Sequence, residues 1–119
     1  MKQDRRLSQP ERDLLAHLLG LSPATQAYLG QLDRVRVTGR CDCGCPSIEL
    51  AVQGAPRAPG SLSAPVVDAE AQSPDGETVG VLVFAADGQL TQLEVYSFSG
   101  EACTLPTPAG VGWVAPPGA

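Results

Sequence analysis

The chain has 119 residues, 43% of them apolar and only 4% aromatic, which is enough for one modest aliphatic core and one domain. Eight basic against 13 acidic side chains leave a formal charge of −5, a balance that excludes general gripping of phosphate backbones. That charge is uneven: residues 1–40 carry seven basic and four acidic groups, a net of +3, whereas residues 41–119 carry one and nine, a net of −8.

The opening stretch MKQDRRLSQPERD lacks the apolar core of a secretory signal. The longest apolar run, Val79 to Ala86, has eight residues, far below the roughly 20 needed to span a bilayer. A cytoplasmic chain with no membrane span and with reduced cysteines is expected.

Ser8 and Glu11 have the spacing of a capping box, with Pro10 in the first turn. Leu14, Leu15, Leu18 and Leu19 fall on one helical face before Gly20. Ser22-Pro23 opens a second predicted helix carrying Ala24, Ala27, Tyr28 and Leu32 on one side. From Arg34 the period becomes two. Strands are predicted over Arg34–Thr38, Ser47–Val52, Val66–Gln72, Thr78–Ala86 and Gln89–Ser99, with Gly54–Pro65 as a surface loop. The expected fold is α+β: two N-terminal helices on a mainly antiparallel five-stranded sheet. Residues 1–99 form the domain, and 100–119 form an irregular Pro/Gly-rich tail.

Asp87-Gly88 signals a type I′ hairpin. A plain two-residue loop sets Leu82 opposite Leu93, Phe84 opposite Thr91 and Gly80 opposite Val95, a bulky face expected to meet the helices. The other face then pairs Val79 with Tyr96, Val81 with Glu94 and Val83 with Gln92. It is too apolar to stand plainly in water. Either the tail covers it, through Leu105, Val111, Trp113 and Val114, or it is a partner surface with Tyr96, Phe98 and Trp113 around Glu94.

Cys41, Cys43 and Cys45 lie within five residues, and thiolates are preferred zinc ligands, with Cys103 or His17 available as a fourth. The spacing differs from paired Cys-x-x-Cys sites. Small thiols filling space under a turn, or thiols with redox chemistry, are the alternatives. The turn itself has two forms. A four-residue loop sets Thr38 opposite Glu49, while a bulge at Gly39 allows a three-residue loop. Arg34, Arg36 and Arg40 are expected to share one strand face, either solvated beside Glu49 or Asp42 or available to an acidic partner or small anion.

The segment from Arg36 through Cys41-Asp42-Cys43-Gly44-Cys45-Pro46-Ser47, together with the later DGQLTQLEVYSFSGE, resembles a group of short uncharacterised bacterial proteins. The resemblance implies a bacterial, cytosolic chain and carries no activity or residue role. Phosphate-binding glycine motifs are absent from the sequence, and neither a nucleophile–base pair nor a matched carboxylate pair stands out. The chain therefore reads as a non-catalytic interaction protein of the immunity, antitoxin or accessory-subunit kind. Its partner residues would be Glu94, Tyr96, Phe98, Arg34, Arg36 and Arg40; zinc binding by Cys41, Cys43 and Cys45 is the alternative.

Overall fold

A computed structural model describes residues 2–40, 45–58, 65–100 and 102–115. Its first helix, α1 (Gln9–Gly20), starts as the capping box requires. The Ser8 hydroxyl accepts from the Glu11 N–H at 3.3 Å, and the Glu11 carboxylate accepts from the Ser8 N–H at 2.9 Å. Its leucine stripe (Leu14, Leu15, Leu18 and Leu19) is fully buried. The second helical segment, Gln26–Arg34, is a 3-10 helix and not the expected α-helix. The three-residue period brings Tyr28 and Gln31 onto the buried side, while Ala24 and Ala27 are exposed. Thr25, just before it, uses its hydroxyl to satisfy the Leu19 carbonyl at 2.7 Å, closing the end of α1.

The sheet has seven strands where five were expected: β1 (Lys2–Arg6), β2 (Val35–Arg40), β3 (Ile48–Val52), β4 (Val67–Gln72), β5 (Thr78–Ala86), β6 (Gln89–Ser97) and β7 (Val111–Val114). Their order is β1-β2-β3-β6-β5-β4-β7, and every pairing is antiparallel. The five expected strands form its middle, and the additions are its two edges. The stretch Lys2-Gln3-Asp4-Arg5-Arg6 has no apolar alternation, yet it pairs with β2 as a charged edge, a composition that discourages further pairing. The Pro/Gly-rich tail contributes β7, which pairs with β4. Where it is described, the tail therefore extends the sheet at its β4 edge.

Two bulges decide which residues face the helices. Asp87 and Gly88 both have positive φ, as a type I′ turn demands, and Ala86↔Gln89 and Ala85↔Leu90 follow the plain register. Phe84, however, pairs with Gln92, so Thr91 is an extra residue on β6. Past it the pairs are Val83↔Leu93, Leu82↔Glu94, Val81↔Val95 and Gly80↔Tyr96. The expected register is thus overturned for most of the hairpin. Val79, Val81, Val83, Leu93 and Val95 form the buried face, while Leu82, Phe84, Glu94 and Tyr96 point the other way. The swap is favourable because it buries three β-branched side chains of β5 against the leucines of α1.

The second bulge lies on β2. Val35↔Val52, Arg36↔Ala51 and Val37↔Leu50 keep one register, and Gly39↔Glu49 and Arg40↔Ile48 keep the next. Glu49 is therefore opposite Gly39, not Thr38. Arg40 shares a face with Ile48, which packs under the helices, whereas Arg36 shares the opposite face with Ala51. The three arginines do not form a single stripe.

Buried polar groups tie these layers together. Gln31, 1% exposed, donates from Nε2 to the carbonyls of Gly88 (2.7 Å) and Pro56 (3.2 Å), and its Oε1 accepts from the Leu90 N–H at 3.1 Å. That N–H needs an outside partner. Ala85–Leu90 is the hairpin pair whose amides point outward, and the pairs joining β6 to β3 are Ile48↔Leu93 and Glu49↔Gln92, short of Leu90. Ser47 fills a similar gap. Pro46 has no N–H for the ladder, and the Ser47 hydroxyl donates to the Val95 carbonyl at 3.1 Å while accepting the Val95 N–H at 2.8 Å. No helix among the described residues is long and apolar enough to cross a membrane.

Candidate functional site

One face of the sheet is packed on α1 and the 3-10 segment; the other is open. Register builds this open face row by row. Tyr96 on β6, Gly80 on β5, Glu70 on β4 and Trp113 on β7 stand side by side across four strands. Glu94, Leu82 and Asp68 form the neighbouring row, and Gln92 and Phe84 the next, joined by Glu49 on β3. Tyr96, Phe98 and Trp113 are 40%, 54% and 52% exposed, large for aromatic side chains in a chain that has so few.

The aromatics are ordered by a glycine. A Cβ built on Gly80 would clash with the Tyr96 ring, so the ring leans across the strand and covers the bare backbone. Phe98 then meets Tyr96 edge-on with ring centroids 5.6 Å apart. Beside them the charge is one-sided: after Arg57 the sequence contains no Lys or Arg, so Asp68, Glu70 and Glu94 have no cation on their own strands. The cations gather at the opposite corner of the same face. Arg6 and Arg36 are paired across β1 and β2, and with Arg34, Asp4, Asp33 and Gln53 they line an open groove of about 540 Å³. Arg36 is held by Asp4 at 2.9 Å, and Asp33 by Arg12 at 2.7 Å, leaving an arginine excess in the groove.

Of the residues singled out in the sequence, Glu94, Tyr96 and Phe98 are therefore together on the open face, with Arg34 and Arg36 at its far corner. Arg40 is not with them. It borders a separate cavity of about 200 Å³ on the helix side, with Arg5, Ser8, Glu11, Cys45, Ser47 and Leu105. There Arg5 grips Glu11 with both guanidinium nitrogens, at 2.9 and 3.0 Å. Burial works to raise the Glu11 pKa, but the Arg5 pair and the Ser8 amide outweigh it and hold the carboxyl below its ordinary value.

Cys41 and Cys43 lie outside the described residues. Cys45 is half-buried and Cys103 buried, both as thiols. Leu105, two residues after Cys103, lines the same cavity as Cys45 and Pro46. Burial pushes the Cys103 thiol up, and the nearby acidic groups Cys45, Asp75 and Glu77 act in the same direction. Among the described residues no three of His, Cys, Asp and Glu converge as a metal site. His17 is half-buried in the last turn of α1.

Sequence reasoning missed Gln31, Ser47 and the Arg5–Glu11 pair as organising groups. A signal for the β6 bulge was present: Leu90, Leu93 and Val95 cannot all face one core in a strict two-residue alternation. Compared with known protein families, curated proteins and solved structures, the chain matches none of them. Architecture alone defines its class: a two-layer protein, mostly antiparallel sheet, with one face under helices and the other bearing exposed aromatics with acidic residues at one end and arginines at the diagonal corner.

Proposed function

We propose that the chain is a non-catalytic protein-interaction module that binds through the open face of its sheet. The observation that carries this reading is the exposure of Tyr96, Phe98 and Trp113 on a face that no described segment covers. Aromatic anchors beside carboxylates supply both buried area and direction to a protein contact. Glu94 and the Tyr96–Phe98 pair form its centre, and Arg34 and Arg36 its far rim; Arg40 belongs to the helix side. A module of this kind suits an accessory, immunity or antitoxin role in a cytoplasmic setting. The test is association of the purified chain against its Phe98→Ser/Trp113→Ser variant. Loss of association with an unchanged unfolding temperature supports the reading; equal association of both proteins contradicts it.

A thiolate metal site is the second reading, favoured by the approach of the Cys103 segment to Cys45. That approach draws the cysteine of the tail toward Cys45, the last of the three clustered in the sequence. Metal analysis after reducing, chelator-free purification tests it. About one equivalent of zinc supports the site, and less than ~0.1 equivalent contradicts it, because structural zinc is normally retained.

A further inference from the structure

We propose that the occupant of the open face is a second copy of this chain, seated face to face about a two-fold axis lying between the sheets. The inference rests on the reading of that face as an interaction surface and adds what binds there.

The argument is one of charge and position. The arginine corner (Arg6, Arg34, Arg36) is on β1 and β2, toward the end of the sheet where Arg36 pairs with Ala51. The acidic and aromatic corner (Asp68, Glu70, Trp113) is on β4 and β7, in and beside the Tyr96–Gly80 row. These corners are diagonal to each other, and β6, with Glu94 and Tyr96, is the fourth of seven strands between them. A two-fold axis over β6, perpendicular to that diagonal, sets each copy's arginines on the other's carboxylates and makes both contacts at once. This is the self-complementarity an isologous interface requires. Each corner has a surplus of one sign. The carboxylates have no Lys or Arg on β4, β5, β6 or β7, and the arginines exceed the two aspartates of their groove. Trp113, on the edge strand next to Glu70, adds a flat face on which a guanidinium can stack. The Tyr96–Phe98 pair then supplies apolar area near the axis.

A charge swap tests this without a ligand. Sedimentation equilibrium of the full chain, from micromolar to millimolar concentration, is run on wild type, Arg34→Glu/Arg36→Glu, and Asp68→Lys/Glu70→Lys. Each variant's far-ultraviolet circular dichroism and unfolding temperature are checked first. The proposal expects a wild-type dimer and at least roughly tenfold weaker self-association of each variant, since like charges then face each other. It also expects recovery in an equimolar mixture, where both corners are complementary again. Wild-type dissociation should rise with salt, a readout that holds even if a variant does not fold. A wild type that stays monomeric overturns the proposal, as does a dimer indifferent to salt and to both swaps, or a mixture that fails to recover. A monomer whose open face still cross-links to a different protein overturns the second copy alone. A monomer with no cross-link at all removes the interaction reading with it.

Discussion

Gln31 is the position where a conservative change should cost most for its size. In Gln31→Met the chain length and most of the packing remain, but three hydrogen bonds go. The Pro56 carbonyl is on an exposed residue and finds water. The Gly88 carbonyl keeps the Ala58 N–H at 2.8 Å. The Leu90 N–H is left buried with neither β3 nor β5 to receive it, and a buried orphan donor costs about 1–3 kcal/mol. With the weakened Gly88 contact, the sum is about 2–3 kcal/mol. In a domain of this size that lowers the unfolding temperature by roughly 10 °C. Urea unfolding gives the free energy, and hydrogen exchange at the Leu90 amide reports the same bond locally. A variant within about 0.5 kcal/mol of wild type, with Leu90 still protected, would show that Gln31 does not hold that amide.

Other outcomes follow from the same structure. Ser47→Ala leaves both the Val95 N–H and carbonyl without their partner and should destabilise by about 2 kcal/mol, read from chemical denaturation. Glu11→Gln keeps the capping box and loses only the ion pair with half-exposed Arg5, so at neutral pH it should cost no more than about 1 kcal/mol. Because the folded Glu11 pKa lies below its unfolded value, the stability it adds is present above that ordinary value and lost as pH falls through the folded one. Unfolding free energy measured against pH should therefore fall more steeply below about pH 4.3 in wild type than in Glu11→Gln; equal slopes would contradict the assignment. Gly80→Ala should leave the fold intact and swing Tyr96 off the sheet, breaking its edge contact with Phe98. Loss of the ring-current shift between the two rings in proton NMR is the expected sign, and an unchanged shift would count against the stacked arrangement.

The middle of the sheet was legible because β4 and the first residues of β2 and β3 alternate, β5 is a short apolar run bounded by turn residues, and the Asp87-Gly88 turn has only one good geometry. The edges were not. β1 is a run of charges whose pairing is dictated by the β2 backbone beside it, and β7 is four residues in a Pro/Gly-rich setting where local preference is weak. The bulge at Thr91 carries no turn signal like that of Asp87-Gly88, and the β2 bulge, an open alternative at Gly39 in the sequence, falls one residue earlier; a single extra residue reverses every side chain beyond it. The composition of the open face changed accordingly, losing Val79, Val81 and Val83 to the core and gaining Leu82 and Phe84. Glu94 and Tyr96 were named together and remain together, because both are on the same side of the bulge. The expected arginine stripe spans the β2 bulge, which turns Arg40 to the other face. The uneven charge of the sequence became a spatial fact. Its basic first third supplies α1 and the β1–β2 corner, and its acidic remainder the opposite corner.

Site-specific photo-cross-linking shows whether the open face of the sheet meets another protein. A benzophenone amino acid placed at Phe98, on the open face, should yield a discrete protein adduct. The same group at Leu21, equally exposed at 50% but on the helix layer, should yield none. Equal adducts at both positions, or none at Phe98, would contradict an interaction surface on the open side of the sheet.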